Sequence, residues 1–104
     1  WSKTSFKKSC QKNNGLGIFY IIKCFNDTEE FYKIGITSRS IKKRFCNKQT
    51  MPYKYQVLQE IEDISENIWD FEVFFKRLKN FRHYTPNIPF GGSLTECYLL
   101  NKEN

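Results

Sequence analysis

The chain has 104 residues, enough for one domain with a single modest core and too few for two. Its aromatic content of 17% supplies large core groups and excludes a disordered chain, while a net charge of +6 makes a polyanion, nucleic acid first, the partner to consider. No apolar run approaches the ~20 residues that span a bilayer, and Cys10, Cys24, Cys46 and Cys97 stand apart with His83 as the one histidine, which excludes a zinc knuckle.

Residues 1–15 are expected to form an N-terminal helix or tether, with Trp1, Phe6 and Cys10 spaced about one turn apart and Asn13-Asn14-Gly15 as the stop. A chain opening on Trp1 rather than Met points to numbering that starts inside a longer protein, so a further DNA-binding domain outside this segment is an expectation. Residues 16–104 form the domain proper. Leu16 to Phe25 and Glu30 to Thr37 are β-branched and aromatic runs separated by the polar stretch Asn26-Asp27-Thr28-Glu29, the pattern of a β-hairpin. Ser38 or Ser40 can cap a short helix that presents Ile41 and Phe45 on one face and Arg39, Lys42, Lys43 and Arg44 on the others.

Tyr53 to Ile61 reads as a third strand with Tyr55, Val57 and Ile61 half-buried. From Ser65 as N-cap, Ile68, Phe71, Phe74, Phe75, Leu78 and Phe81 recur at helical spacing through about Arg82 and define a core helix. Pro86, Pro89 and Gly91-Gly92 mark loops, and Leu94 to Leu100 closes the chain as a short edge strand or a last helical turn. The four cysteines, each among apolar or aromatic neighbours, read as reduced thiols that pack as small hydrophobes in an intracellular, cytoplasmic protein.

Gly17-Ile18-Phe19-Tyr20 and Tyr32-Lys33-Ile34-Gly35 resemble the two halves of the GIY-YIG nuclease signature, and the likeness runs on through Lys43-Arg44-Phe45 and Glu72, covering residues 16 to about 83. The lysine in the second motif is most similar to the phage-associated branch of that superfamily, whose members are encoded by phage in a bacterial host. The resemblance implies an α/β (α+β) domain with a small, mainly antiparallel three-stranded sheet and flanking helices. It also implies a metal-dependent endonuclease that hydrolyses DNA phosphodiesters with Mg²⁺ or Mn²⁺, RNA remaining open as a substrate.

The first motif carries one extra residue, so a rigid match puts Phe19, which has no proton to exchange, at the catalytic position. Tyr20 followed by Ile22 on the same strand face fits better, which makes Tyr20 the candidate general base. A phenol near its ordinary pKa of ~10 is a poor base at neutral pH and needs neighbouring cations. Parity decides which residue of the second strand supplies help: a hairpin loop of two or four residues brings Lys33 to Tyr20's face, and an odd loop brings Tyr32 instead.

Arg44, resembling the arginine of the family's first helix, offers a guanidinium fork for a phosphorane-like transition state, while Arg39, Lys42 and Lys43 read as backbone contacts or a solvated face. Glu72 borders the apolar stripe of the long helix and can hold a divalent cation through one oxygen, the alternative being a surface pair with Lys76 at i+4. His83 reads as a capping cation at the end of that helix, and Glu96, after a glycine turn, could support the site from the last strand, the ordinary explanation being an edge-strand glutamate. The asparagine expected near the end of the family pattern has no counterpart. Two rivals follow from these departures and from the solubilising role of surface lysine: a catalytically weak or inactive nucleic-acid-binding module of the same fold, and a protein-interaction module.

Overall fold

A computed structural model describes residues 2–78 and 80–100 of the chain. The two β-rich runs form β1 (Leu16–Phe25) and β2 (Glu30–Thr37), joined by the tight turn Asn26–Glu29. Asn26 sets this turn with its own side chain: Oδ1 accepts from the Thr28 N–H at 2.9 Å and the Glu29 N–H at 2.8 Å, while its backbone N–H donates to the Glu29 carbonyl at 3.0 Å. The loop is therefore even, and the antiparallel register pairs Tyr20 with Gly35 and Ile22 with Lys33. Lys33 shares the face of Tyr20, as parity requires, and Tyr32 turns to the other face.

Glu29, at the end of that turn, is buried and accepts from the Tyr53 and Tyr84 hydroxyls, each at 2.5 Å, and from the Asn87 N–H at 3.0 Å. Burial alone would raise its pKa, but the three donors outweigh that and hold the carboxyl below its usual value. One carboxylate thus fastens the hairpin turn to the segment leading into the last loop.

The sheet is α+β in context and has five antiparallel strands in the order β3-β1-β2-β5-β4, with β3 Lys54–Ile64, β4 Phe81–His83 and β5 Cys97–Leu100, which corrects the expectation of three. One face carries Ile18, Tyr20, Ile22 and Cys24 against Ile41 and Phe45 of the α2 region (α2, Ile41–Arg44). The other carries Phe19, Ile34 and Ile36 against Phe6 and Cys10 of α1 (Lys3–Gln11) and Ile68 of α3 (Ser65–Lys76). Phe19 packs on Phe71 and Phe75 with ring centroids 6.2 and 4.9 Å apart, so the aromatic that a rigid motif match would have made catalytic is a core residue.

The N-terminal segment is a docked helix rather than a free tether. Gly17 makes the docking possible, because a Cβ there would lie 2.7 Å from Cζ of Phe6 and 3.1 Å from Sγ of Cys10. Trp1, expected on the same helix face, lies outside the described residues.

Other boundaries differ from the pattern reading. β3 is an edge strand with Val57 41% exposed, not half-buried as its apolar character suggests. Ser65 is the first helical residue and not a side-chain cap; its N–H donates to the Gly15 carbonyl at 3.0 Å, and Ile64 stands at the N-cap. The helix stops at Lys76, and Phe81–His83 is the separate strand β4. His83 accordingly caps no helix; its ring meets Tyr98 edge-on at 5.6 Å. β5 lies inside the sheet between β2 and β4, which removes the edge-strand reading of the chain end.

All four cysteines are free; Cys46 is exposed, unlike the other three. Burial pushes the Cys24 and Cys97 thiols up to about 12, so both pack as apolar groups. Among the described residues no helix is long and apolar enough to cross a membrane.

Candidate active site

Tyr20 and Lys33 come from adjacent strands and meet inside the protein. The lysine Nζ donates to the Tyr20 hydroxyl at 2.9 Å and to Oε2 of Glu96 at 2.5 Å. Gly35, the cross-strand partner of Tyr20, leaves room for this contact: a Cβ there would fall 2.6 Å from the Tyr20 hydroxyl oxygen and 3.3 Å from Oε2 of Glu96. The ammonium also lies 5.3 Å from the Tyr20 ring centre and 5.6 Å from that of Phe45, over faces that stabilise a cation in a poorly hydrated position.

Arg44 enters from α2. Its guanidinium carbon lies 5.3 Å from the Phe45 ring centre, and its charge acts on Tyr20. Opposite stands the loop containing Gly91 and Gly92, both exposed. A Cβ on Gly91 would come within 3.4 Å of an Arg44 terminal nitrogen, and one on Gly92 within 3.0 Å of the Lys33 ammonium. Bare main chain therefore forms the outer wall over Lys33 and beside Arg44.

Glu96 connects the two faces of the sheet. Among the described residues β5 pairs with β2 at Tyr32 and Lys33, and the Glu96 carbonyl accepts from the Ile34 N–H at 3.0 Å beside that pairing. From there one Glu96 oxygen serves Lys33 while the other lies 4.0 Å from Nζ of Lys76 on α3. Lys76 in turn sits 3.3 Å from Oε2 of Glu72, the i,i+4 pair that the sequence offered as the ordinary role of Glu72. That oxygen is buried, and the Lys76 ammonium is its ion-pair partner among the described residues. Glu72 thus offers a single carboxylate to a cation, with the Lys76 ammonium 3.3 Å from it, and among the described residues no three His, Cys, Asp or Glu side chains cluster to hold a metal.

The electrostatics follow from burial. Burial pushes the Tyr20 phenol above its usual value, Lys33 pulls it down, and Glu96 adds to the rise. Lys33 would be depressed by burial, but Tyr20 and Glu96 reverse this and hold it above the ordinary lysine value, so it is an ammonium at neutral pH. Glu72 is raised, first by burial and also by Glu96, against the opposing charge of Lys76.

Of the residues expected from the sequence, Tyr20, Lys33 and Arg44 stand together, while Glu72 lies on the other sheet face and is linked to them through Lys76 and Glu96. Tyr32 does not join them: it lies across from Lys23 on the opposite sheet face and pairs with Tyr98. Arg39, Lys42 and Lys43 are exposed on and beside α2. From the sequence Lys76 reads only as the i+4 partner of Glu72, and Glu96 reads first as an ordinary edge-strand glutamate and only second as a support of the site. The available signal for Glu96 was its place after a double glycine and before an apolar run, which can equally be any loop entering a strand. Comparison with known proteins finds no matching protein-family model, no matching curated protein and no matching solved structure.

Proposed function

We propose that this chain is a metal-dependent endonuclease domain of the GIY-YIG type, acting on DNA phosphodiesters, in an intracellular and phage-associated setting. The observation that carries the reading is convergence. Tyr20, Lys33 and Arg44, chosen because they match motif positions, are spread over the chain yet stand together around the Tyr20–Lys33 hydrogen bond, and Glu72 joins them from the other sheet face through Lys76 and Glu96.

In this reading the attacking water gives its proton to the Tyr20 phenolate as its oxygen bonds to phosphorus, and the bond from phosphorus to the leaving oxygen breaks in line. Lys33 and Arg44 favour the phenolate against burial and Glu96, and the Arg44 fork meets the charge that spreads over the phosphoryl oxygens. Glu72 would hold a Mg²⁺ or Mn²⁺ ion, which when bound supplies positive charge for the phosphate oxygens.

The test is cleavage of labelled DNA with Mg²⁺ or Mn²⁺, by the wild type and by Tyr20→Phe, Lys33→Ala, Tyr32→Phe and Glu72→Gln. Tyr20→Phe and Glu72→Gln should lose at least about a hundredfold in rate, Lys33→Ala should be severely impaired, and Tyr32→Phe should stay near wild type. Affinity for DNA in EDTA should barely change in Glu72→Gln.

A second reading, a nucleic-acid-binding module without turnover, is favoured by one observation: the Tyr20 phenol is raised and Lys33 is engaged by Glu96. DNA binding without cleavage under either metal would select it. Cleavage at wild-type rate by Tyr20→Phe would remove the proposed chemistry.

A further inference from the structure

The same strand that carries Tyr20 also lines a cleft that the proposed chemistry does not use. It has a volume of ≈ 730 Å³ and lies between the end of α1 and the start of α2, with Lys12, Arg39 and Lys43 on its walls and Glu62 as the acidic member. The three cations are exposed, and none forms an ion pair among the described residues. Ile18 lines the cleft and shares the sheet face of Tyr20 two residues on, a step of about 7 Å along a strand. α2 spans both places, with Arg44 at the Tyr20 cluster and Lys43 in the cleft.

The position of Lys12 is built rather than incidental. α1 is seated by the missing side chain of Gly17 and by the Ser9 and Ser38 hydroxyls, which hydrogen-bond at 2.6 Å across the cleft wall. The chain then leaves the helix through Asn14 and Gly15, both with positive φ. The segment expected as a helix or tether is thus fixed where Lys12, at the C-cap of α1, lines one cleft with Arg39 and Lys43.

We infer that this cleft holds the DNA backbone at a phosphate next to the one cut, with Lys12 of α1 completing a site that Arg39 and Lys43 begin. The inference rests on the proposed action on DNA. The surface is strongly cationic, polar and open, and it continues from Arg44 along one helix, so a strand passing Arg44 enters it directly. Lys42, outside the cleft, contributes less. Glu62 opposes the phosphate and limits how tightly the strand is held.

The experiment measures the affinity of a labelled DNA duplex in EDTA over a range of salt, by fluorescence anisotropy. Each phosphate contact adds about 0.9 to the slope of log affinity against log salt. The triple variant Lys12→Gln, Arg39→Gln, Lys43→Gln should reduce that slope by about 0.9, the loss of one phosphate contact, and Lys12→Gln alone by part of it. Glu62→Gln, at an exposed strand position, should tighten binding.

Unchanged slopes in the triple variant, with normal wild-type binding, overturn the cleft and leave the proposed nuclease standing. Weaker binding in Glu62→Gln also counts against it. A wild type that does not bind DNA overturns the cleft together with the nuclease reading.

Discussion

The two partners of the Lys33–Glu96 pair should not be equally costly to remove. The Lys33 side chain is 0% exposed and that of Glu96 is 20% exposed. Glu96→Ala leaves an ammonium in the interior with the Tyr20 hydroxyl as its remaining hydrogen-bond acceptor, and stranding a buried charge in this way costs about 3–5 kcal/mol. Lys33→Met fills similar space with apolar atoms. The carboxylate left behind is partly in water and has Lys76 4.0 Å away, so the loss should be about 1–3 kcal/mol.

The double variant contains neither charge and should be more stable than Glu96→Ala alone by about 2 kcal/mol. Urea unfolding followed by circular dichroism at pH 7 resolves these differences, since small domains lose about 1 kcal/mol or more per molar urea. The sign with pH is fixed by the raised value of Lys33. The stabilisation that comes from the raised value of Lys33 is complete at neutral pH and is lost as the pH rises above 10.5 and through the higher folded value. Equal costs for the two single variants, or a double variant as unstable as their sum, would refute the view that Glu96 exists to hold a buried ammonium.

Arg44→Ala should reduce DNA cleavage about a hundredfold while weakening binding only severalfold, because lysines cannot replace the fork; a comparable cleavage defect in Lys42→Ala, measured in the same gel assay, would deny Arg44 its special role. Glu29→Gln should destabilise the fold by about 1.5–3 kcal/mol at pH 7, since an amide cannot accept from all three donors. The folded pKa of Glu29 lies below 4.5, so its stabilisation is full above that pH and is lost as the pH falls through the lower value. Urea midpoints of wild type and variant should therefore converge in acid; a constant gap at every pH would contradict the role assigned to the three donors.

What the sequence disclosed is what depends on short-range rules. The hairpin, its even turn and the shared face of Tyr20 and Lys33 follow from alternation over a few residues around Asn26–Glu29. The long helix was legible in its apolar stripe, but its end was not. Leu78 and Phe81 keep the helical phase after Lys76, and Phe81 meets the same core from a strand, with its ring 6.1 Å from that of Tyr98. Periodicity records burial and cannot separate those two ways of achieving it.

Glu96 was harder for a different reason. Its role requires β5 to be an inner strand pairing with β2, a contact between residues more than sixty positions apart with no local pattern to announce it. β3 erred in the opposite direction: Val57 and Leu58 are apolar by type but exposed at a sheet edge, where β-propensity outlives burial.

The Asn26–Glu29 turn has a consequence for how such a chain can change over evolutionary time. A one-residue insertion or deletion there would turn every side chain of β2 to the other face, carrying Lys33 away from Tyr20 and sending Tyr32 in its place. Only changes in steps of two preserve the frame in which the strand is read, and Glu29, tied to Tyr53, Tyr84 and Asn87, resists even those. Length variation among descendants of this chain should therefore avoid this turn and collect in loops whose residue count sets no register, such as Cys46–Tyr53.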